Sequence, residues 1–367
     1  MSFYPKNILL ISPEPWSHIF VSKHHYAIEL SKKGHVVYFL NPPGAASGLK
    51  VQPAPGYKHI FTVDYQPLVK GQRFFPAFLS RKVDALLIDR LQKAAGVTFD
   101  IVWNFENSRF FDFNFLPRNV LKIYHQVDLN QNFNLKAAAS SADICFCTTD
   151  LIRNNLLPYN RNAFKIHHGV TENAFSAEPP APGRAKNGTV NALYVGNLDM
   201  MFLDLDLLEA VVKKFPQVTF TFVGPYQKEK AFYRRISNYP HCRLEGKVDS
   251  RRIKDYMAET DVLMVLYQQA HHQDQASPHK VVEYLASGKT IVSTYMDEYK
   301  DKRELLAMSD ENADYVALFE KVISNLGDYN NEAERQKRIA FARNHTYGNQ
   351  LFRIIELVKD VCDKPLG

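Results

Sequence analysis

The stretch 276–289 reads Ala-Ser-Pro-His-Lys-Val-Val-Glu-Tyr-Leu-Ala-Ser-Gly-Lys. Ser277, Lys280 and Glu283 recur every three residues, so on a helix they share one exposed face. Ser277 suits an N-cap, Pro278 a first helical position and Gly288 a terminator, while Val281, Val282 and Leu285 turn to the core. A cation at Lys280 in the first turn opposes the helix dipole, and a bound anion would reverse that sign. Free N–H groups at the helix start, flanked by Ser277, His279 and Lys280, make a cradle for a diphosphate. Glu283, one turn deeper, can accept hydrogen bonds from two ribose hydroxyls. The plainer reading, a Lys280–Glu283 surface pair, accounts for less of the pattern.

Two other phosphate motifs fail. Ser287-Gly288-Lys289-Thr290 imitates the end of a P-loop, but Glu283 stands where that motif needs glycine, and here the helix precedes the strand. No Gly-x-Gly-x-x-Gly occurs, so a nicotinamide or flavin site is unsupported.

The elements that must position these residues repeat a strand–helix pattern. Strands are expected over 8–11, 36–40, 101–104, 121–124, 144–148 and 165–167, with helices over 22–33, 83–95 and 150–157. Residues 177–190 then break the composition with Pro179, Pro180, Pro182, Gly183 and Gly188. The alternation resumes with strands over 192–195, 219–223, 243–245, 262–266 and 290–293 and helices over 204–215, 251–259 and 278–287; 313–361 reads as mostly helical. The expected fold class is α/β, as two tandem Rossmann-like doubly wound domains facing a cleft. The domains are 1–178 and 190–340, joined by a linker over 179–189 and followed by a helical segment over 341–367 that packs back on the first domain.

Bulk properties narrow the function. The chain has 367 residues, 46% of them hydrophobic and 23% charged, and a net charge of +6. Such a mild basic excess suits an anionic small ligand and, with no recognition-helix or zinc-finger spacing, gives no support to nucleic-acid binding. Cys145, Cys147, Cys242 and Cys362 form no Cys-x-x-Cys pair, which points to a reducing compartment. Neither a signal peptide nor a membrane-spanning run is recognisable, so a cytoplasmic location is expected, with any membrane contact peripheral at the inner face.

Several further residues could do chemistry. His24 and His25 begin the helix after the first loop, where a histidine could act as a base or orient a phosphate. Asp204-Leu-Asp206 has the look of a metal pair, but lies at a helix start where aspartate is favoured anyway. His271 and His272 with Asp274 lack a third ligand at proper spacing. Over 66–93, Lys70, Arg73, Arg81, Lys82, Arg90 and Lys93 face only Asp84 and Asp89, with Phe74, Phe75, Phe78 and Leu79 among them. That mixture fits either a helix with a core face or peripheral contact with an anionic membrane.

Ser-Pro-x-Lys-x-x-Glu-Tyr-Leu-Ala-x-Gly resembles the nucleotide-binding helix of GT-B-fold glycosyltransferases, specifically the bacterial group 1 enzymes that build surface polysaccharides, including teichuronic-acid-type transferases. Tyr194-Val195-Gly196-Asn197-Leu198-Asp199, Phe222-Val223-Gly224-Pro225, Leu244-Glu245-Gly246-Lys247-Val248 and Ile166-His167-His168-Gly169-Val170 are similar to further segments of that family. The resemblance implies transfer of a sugar from a nucleoside-diphosphate donor, a UDP-sugar by family frequency, to a saccharide or lipid-linked saccharide. No cofactor or metal is implied. Gly196, Asn197, Tyr226, Gly246, Lys247, Val248, Ser277, Pro278, His279, Lys280 and Glu283 would hold the donor; His125 and Asp128 would face its sugar and join His24 as catalytic candidates, with Glu106 behind them. The fold also serves sugar-nucleotide 2-epimerases, and a non-catalytic nucleotide-sugar-binding subunit would keep the same donor site. The chain departs from the family at Gln275, where many retaining members carry glutamate, and between 197 and 203, where the usual cations are missing.

Overall fold

The computed structural model describes residues 5–44, 48–131, 133–175, 188–273, 275, 277–362 and 366. Nearly all of the expected linker 179–189, Asp274 and the Arg73 side chain lie outside the described residues. The chain divides into two compact units, Met1–His167 with Tyr347–Gly367, and His168–Thr346. Residues 168–178, expected in the first domain, fall in the second unit, as do 341–346.

The first unit runs β1 (Asn7–Ile11), α1 (Ser22–Lys32), β2 (Val36–Leu40), β3 (Lys50–Pro53), β4 (Ile60–Asp64), α2 (Ala77–Ala95), β5 (Ile101–Asn104), β6 (Leu121–Gln126), α3 (Leu135–Ser141), β7 (Ile144–Cys147), α4 (Asp150–Leu156) and β8 (Ala163–Lys165). Its sheet has the order β3-β4-β2-β1-β5-β6-β7-β8, parallel except where β3 meets β4. Ile8, Leu9, Leu10 and Ile11 are wholly buried, as expected of a parallel strand covered on both faces. The edge strand β3 and its neighbour β4 escaped the sequence reading because Lys50, Gln52, Thr62 and Asp64 interrupt their apolar runs. Three boundaries are corrected. β8 begins two residues early, α2 begins at Ala77 after Pro76, and β6 continues through His125 and Gln126.

The second unit runs β9 (Asn191–Val195), α5 (Leu205–Lys214), β10 (Thr219–Val223), α6 (Ala231–Ile236), β11 (Cys242–Gly246), α7 (Ile253–Ala258), β12 (Val262–Val265), α8 (His279–Ala286), β13 (Thr290–Ser293), β14 (Ala307–Met308), α9 (Tyr315–Ser324), α10 (Leu326–Tyr329) and α11 (Glu332–Asn344). Its sheet order is β11-β10-β9-β12-β13-β14, and its pairings are parallel. The last helix, α12 (Tyr347–Val361), belongs to the first unit. Tyr347, Leu351, Ile354 and Val358 recur at helical spacing and pack with Ile8, Tyr26, Leu30 and Trp103.

Each sheet has one place where strand order reverses, between β1 and β5 in the first and between β9 and β12 in the second. Parallel sheets open a crevice there, beyond the carboxyl ends of the two strands.

Candidate functional site

In the second unit, β9 and β12 pair only through Ala192 with Val262 and Leu193 with Leu263. Beyond that the ladder stops, and the backbone of Val195 loses its strand partner on the β12 side. Two side chains of α8 take that place. The Tyr284 hydroxyl accepts the Val195 N–H at 2.8 Å, and the Lys280 ammonium donates to the Val195 carbonyl at 3.2 Å. The buried strand gap is thereby satisfied.

The Lys280 ammonium lies 3.9 Å from the centre of the Tyr194 ring and 5.1 Å from that of Tyr267. Aromatic faces attract a cation, but more weakly than a carboxylate does in a desolvated setting. Lys280 has no ion pair among the described residues, and burial pushes its pKa down to about 7. It is a cation largely withdrawn from water, with no counter-charge among the described residues, at the switch point of a parallel sheet and at a helix start. This corrects the expectation that Lys280 shares an exposed face with Glu283. Glu283 is half exposed and lies 3.7 Å from His279 Nδ1 instead.

The cap is corrected as well. Pro278, not Ser277, occupies the N-cap position, with extended ψ of 130° and no side-chain cap. The Val281 N–H closes the first turn on the Pro278 carbonyl at 3.1 Å. The first turn carries no side-chain cap among the described residues, and Lys280 stands in it, where a helix start favours an anion.

Beside Lys280, three strand ends interlock. The Gly196 N–H donates to the Val223 carbonyl at 2.9 Å, the Gly224 N–H to Gly246 at 2.8 Å, and the Leu198 N–H to Pro225 at 3.0 Å. Gly196 and Gly224 have φ of 153° and 145°. A Cβ on Gly224 would lie 1.8 Å from the Gly196 carbonyl oxygen, so the β9 and β10 loops approach more closely than any side chain permits. Asn197 is exposed and accepts the Asp199 N–H at 3.0 Å, and Asp199 accepts the Gln227 N–H at 2.8 Å. These bonds fasten the loop after β9 to the loop after β10.

Tyr226 stacks on Tyr233 with ring centres 5.6 Å apart. Lys247 is exposed and Val248 packs on the core of β12 and α8. Gly196, Lys280 and the start of α8 therefore stand together. The residues expected at the base, Tyr226 and Gly246 to Val248, follow the neighbouring strands β10 and β11. Ser287 and Thr290 of the P-loop look-alike serve the structure. Ser287 donates to the Tyr284 carbonyl, and Thr290 bonds Asn330. Asp204 caps α5 through the Leu207 N–H, and His272 lies 3.2 Å from Asn312.

Tyr194, Tyr267 and Tyr284 were missed as site residues. Tyr194 and Tyr267 end apolar strand runs and read as core. Tyr284 carried a signal, since it stands four residues after Lys280 and so above it on the same helical face.

A pH dependence follows. Only the charged form of Lys280 pairs with an anion, and a bound diphosphate raises the lysine pKa. Affinity for a nucleoside diphosphate should be level below about pH 7 and fall as pH rises, by up to about tenfold per unit until the pKa of the complex is reached. Calorimetric titration across that range checks this. Lys280→Arg, whose guanidinium stays charged, should remove the fall; a slope unchanged in that variant would assign it to another group.

In the first unit the structure corrects His24. Its ring is buried against Phe20 and Phe39. Nδ1 accepts the Val21 N–H at 3.2 Å, and Nε2 lies 3.1 Å from the Pro15 carbonyl. Burial lowers its pKa to about 4, with the Pro15 bond opposing. Both nitrogens are spent, so His24 pins the loop after β1 rather than abstracting a proton. His125 lies inside β6, stacked on Phe105 at 4.7 Å, and burial lowers its pKa to about 3, with Lys23 adding to the effect. It is a neutral imidazole whose Nδ1 has no partner among the described residues.

Asp128 follows β6 on a surface loop, where crowding around its carboxyl raises it above the usual range by desolvation while the Lys23 charge opposes. Glu106 is engaged by the Ser108 N–H at 2.7 Å and by Arg109. The sequence reading missed Lys23, which is buried and paired with Glu14. Its charge reaches His24, His125 and Asp128 alike, which places these residues in one neighbourhood.

Comparison with known proteins agrees with this geometry. Residues 189–328 match the family described as Glycosyl transferases group 1. A Bacillus subtilis protein described as a teichuronic acid biosynthesis glycosyltransferase is 26% identical over 227 residues, which span 58% of this chain and 56% of that protein, little more than half its length. The structure of sucrose-phosphate synthase from Thermosynechococcus elongatus superposes with a TM-score of 0.70 at 12% identity, over 97% of this chain and 98% of that one. A trehalose-6-phosphate structure from E. coli bound with UDP-2-fluoro glucose gives 0.68 at 13% identity, over 96% and 98%. The chain has the GT-B fold, and its residues 189–328 match the glycosyl transferases group 1 family.

Proposed function

We propose that the protein transfers a sugar from a nucleoside-diphosphate donor, a UDP-sugar by preference, to a hydroxyl of a saccharide or lipid-linked saccharide in surface-polysaccharide synthesis. It would work as a peripheral protein at the inner face of the membrane. The observation that carries the reading is the Lys280 ammonium, held between Tyr194 and Tyr267 with no carboxylate partner among the described residues, in the first turn of α8. In the reaction the acceptor hydroxyl oxygen bonds the anomeric carbon as the bond from that carbon to the diphosphate oxygen breaks, and the hydroxyl proton leaves with the released diphosphate or to water. Negative charge grows on the leaving diphosphate, where Lys280 and the helix N–H groups meet it. The ribose hydroxyls donate to Glu283, and the base lies along Tyr226, Gly246, Lys247 and Val248. His125 and Asp128 are the first unit's candidates for contact with sugar or acceptor. The UDP-sugar in the E. coli relative's structure supports the choice of base.

The leaving-group charge is assigned to protein groups, so EDTA should leave the rate unchanged. The test is a thermal-shift series with UDP, GDP, ADP and CMP, followed by release of nucleotide from the donor that fits. No stabilisation by any of them sinks the reading. Conversion of donor without acceptor would instead indicate an epimerase, and binding without turnover a non-catalytic subunit. Glu283→Ala should weaken the nucleoside diphosphate about tenfold, the worth of a charged hydrogen bond, and leave inorganic pyrophosphate unaffected. Unchanged nucleotide affinity would remove Glu283 from the ribose.

A further inference from the structure

One side of α2 is apolar and exposed. Phe78 is 55% exposed, Leu79 40% and Leu86 49%; Phe74, just before the helix, is 71% exposed and Phe133, from the loop after β6, 44%. Phe74 and Phe133 meet edge to face with ring centres 6.4 Å apart, so two separate segments build one patch. The opposite side of α2 is already used. Ser80, Asp84, Leu87, Ile88 and Leu91 are buried, and Gln72 donates to Asp84 at 2.6 Å, fixing the approach to the helix. The exposed face is therefore additional to the core face.

Its charges are predominantly positive. Lys82 and Arg90 stand at four-residue spacing with Phe78 and Leu86, on the same stripe, and Lys70 and Lys93 lie at its ends, all exposed. The exposed acid of the helix, Asp89, is paired with Lys93 at 2.7 Å. A large apolar patch rimmed by lysine and arginine is complementary to an anionic bilayer, where rings and Leu side chains enter the headgroup boundary and cations meet phosphates. No helix among the described residues is long and apolar enough to cross a membrane, so contact would be made by a surface.

We propose that the face of α2 bearing Phe78, Leu79 and Leu86, extended by Phe74 and Phe133, docks on an anionic phospholipid bilayer. The loop that supplies Phe133 also carries Asp128. Gln131 accepts the Val127 N–H at 3.3 Å and Gln126 donates to the Asp128 carbonyl at 3.0 Å. Docking brings that loop to the lipid surface. This inference does not depend on the nucleotide reading, because the donor residues lie in the other unit.

The experiment is co-sedimentation of the whole chain with phosphatidylcholine vesicles, with and without phosphatidylglycerol, at rising salt. Binding should require phosphatidylglycerol and weaken with salt. Phe78→Glu with Leu86→Glu, and separately Lys82→Glu with Arg90→Glu, should each lower the partition coefficient by about tenfold or more. Both pairs are exposed, and an unchanged thermal shift with UDP certifies the fold. Equal binding to neutral vesicles, or variants that bind as the parent does, would overturn the proposal. So would a dimer of the parent protein that Phe78→Glu with Leu86→Glu splits, since the face would then join two copies.

Discussion

Lys280→Met should abolish stabilisation by nucleoside diphosphate and slow donor turnover by about 10²- to 10³-fold, while the melting temperature stays equal to or rises above that of the parent protein. Two consequences of one geometry combine here. The ammonium is desolvated, and its partners are aromatic faces and a carbonyl rather than a carboxylate. A buried cation without a counter-charge costs stability, so a neutral side chain of similar length relieves the fold even as the Val195 bond is lost. The same cation meets the charge on the leaving diphosphate, and loss of one such preorganised donor costs about 3–4 kcal/mol of transition-state stabilisation. Stability and activity therefore move in opposite directions at this residue. A purely structural lysine would give the reverse result, with lower melting temperature and intact nucleotide binding. Differential scanning fluorimetry with and without UDP, alongside a nucleotide-release assay, reads both.

Gly224→Ala should be the most disruptive single methyl in the second unit. The new Cβ would fall 1.8 Å from the Gly196 oxygen and 2.7 Å from its carbon, and both are backbone atoms that cannot rotate away. Relief requires the loop after β9 to move. That strains the bonds from Gly196 to Val223 and from Leu198 to Pro225, each worth about 1 kcal/mol. The positive φ of 145° adds a backbone cost for any L side chain. We expect a loss of roughly 4 kcal/mol or more in denaturant unfolding, together with loss of nucleotide binding because Gly196 adjoins Lys280. Gly327→Ala is the control. Nothing lies within 4 Å of its Cβ, and the helix there accepts alanine, so stability should hold or rise by about 1 kcal/mol.

The sequence was legible where an element is decided by its own residues. Buried parallel strands such as β1 and β7 announce themselves as short apolar runs, and α8 announces itself by proline, periodic apolar residues and a terminal glycine. The strands β3 and β4 did not, because the edge strand β3 is half exposed, β4 beside it is only partly covered, and their polar residues carry no period. The donor site was legible as a helix with Lys280 and Glu283. What could not be read was the direction Lys280 takes. That depends on Tyr194 and Tyr267, which are far away in sequence, and on a gap between β9 and β12 created by tertiary divergence. His24 misled for the opposite reason. A histidine at a helix start looks like an exposed base, but the loop after β1 folds back and spends both nitrogens. Lys23 and Glu14 pair across nine positions of a loop without periodicity, so neither stood out.

The return of α12 has a consequence for how the molecule is made. Tyr347, Leu351, Ile354 and Val358 complete the core beneath β1, β2 and β5, yet they follow the whole of the second unit in the chain. On a ribosome, roughly 180 residues separate His167 from Tyr347. At ordinary synthesis rates that interval is on the order of ten to forty seconds. Through it the nascent first unit holds an open apolar groove, while the uninterrupted second unit can close as soon as it emerges. The half of the protein translated first is thus the half that finishes folding last, and it is in this interval that chaperones have surface to hold.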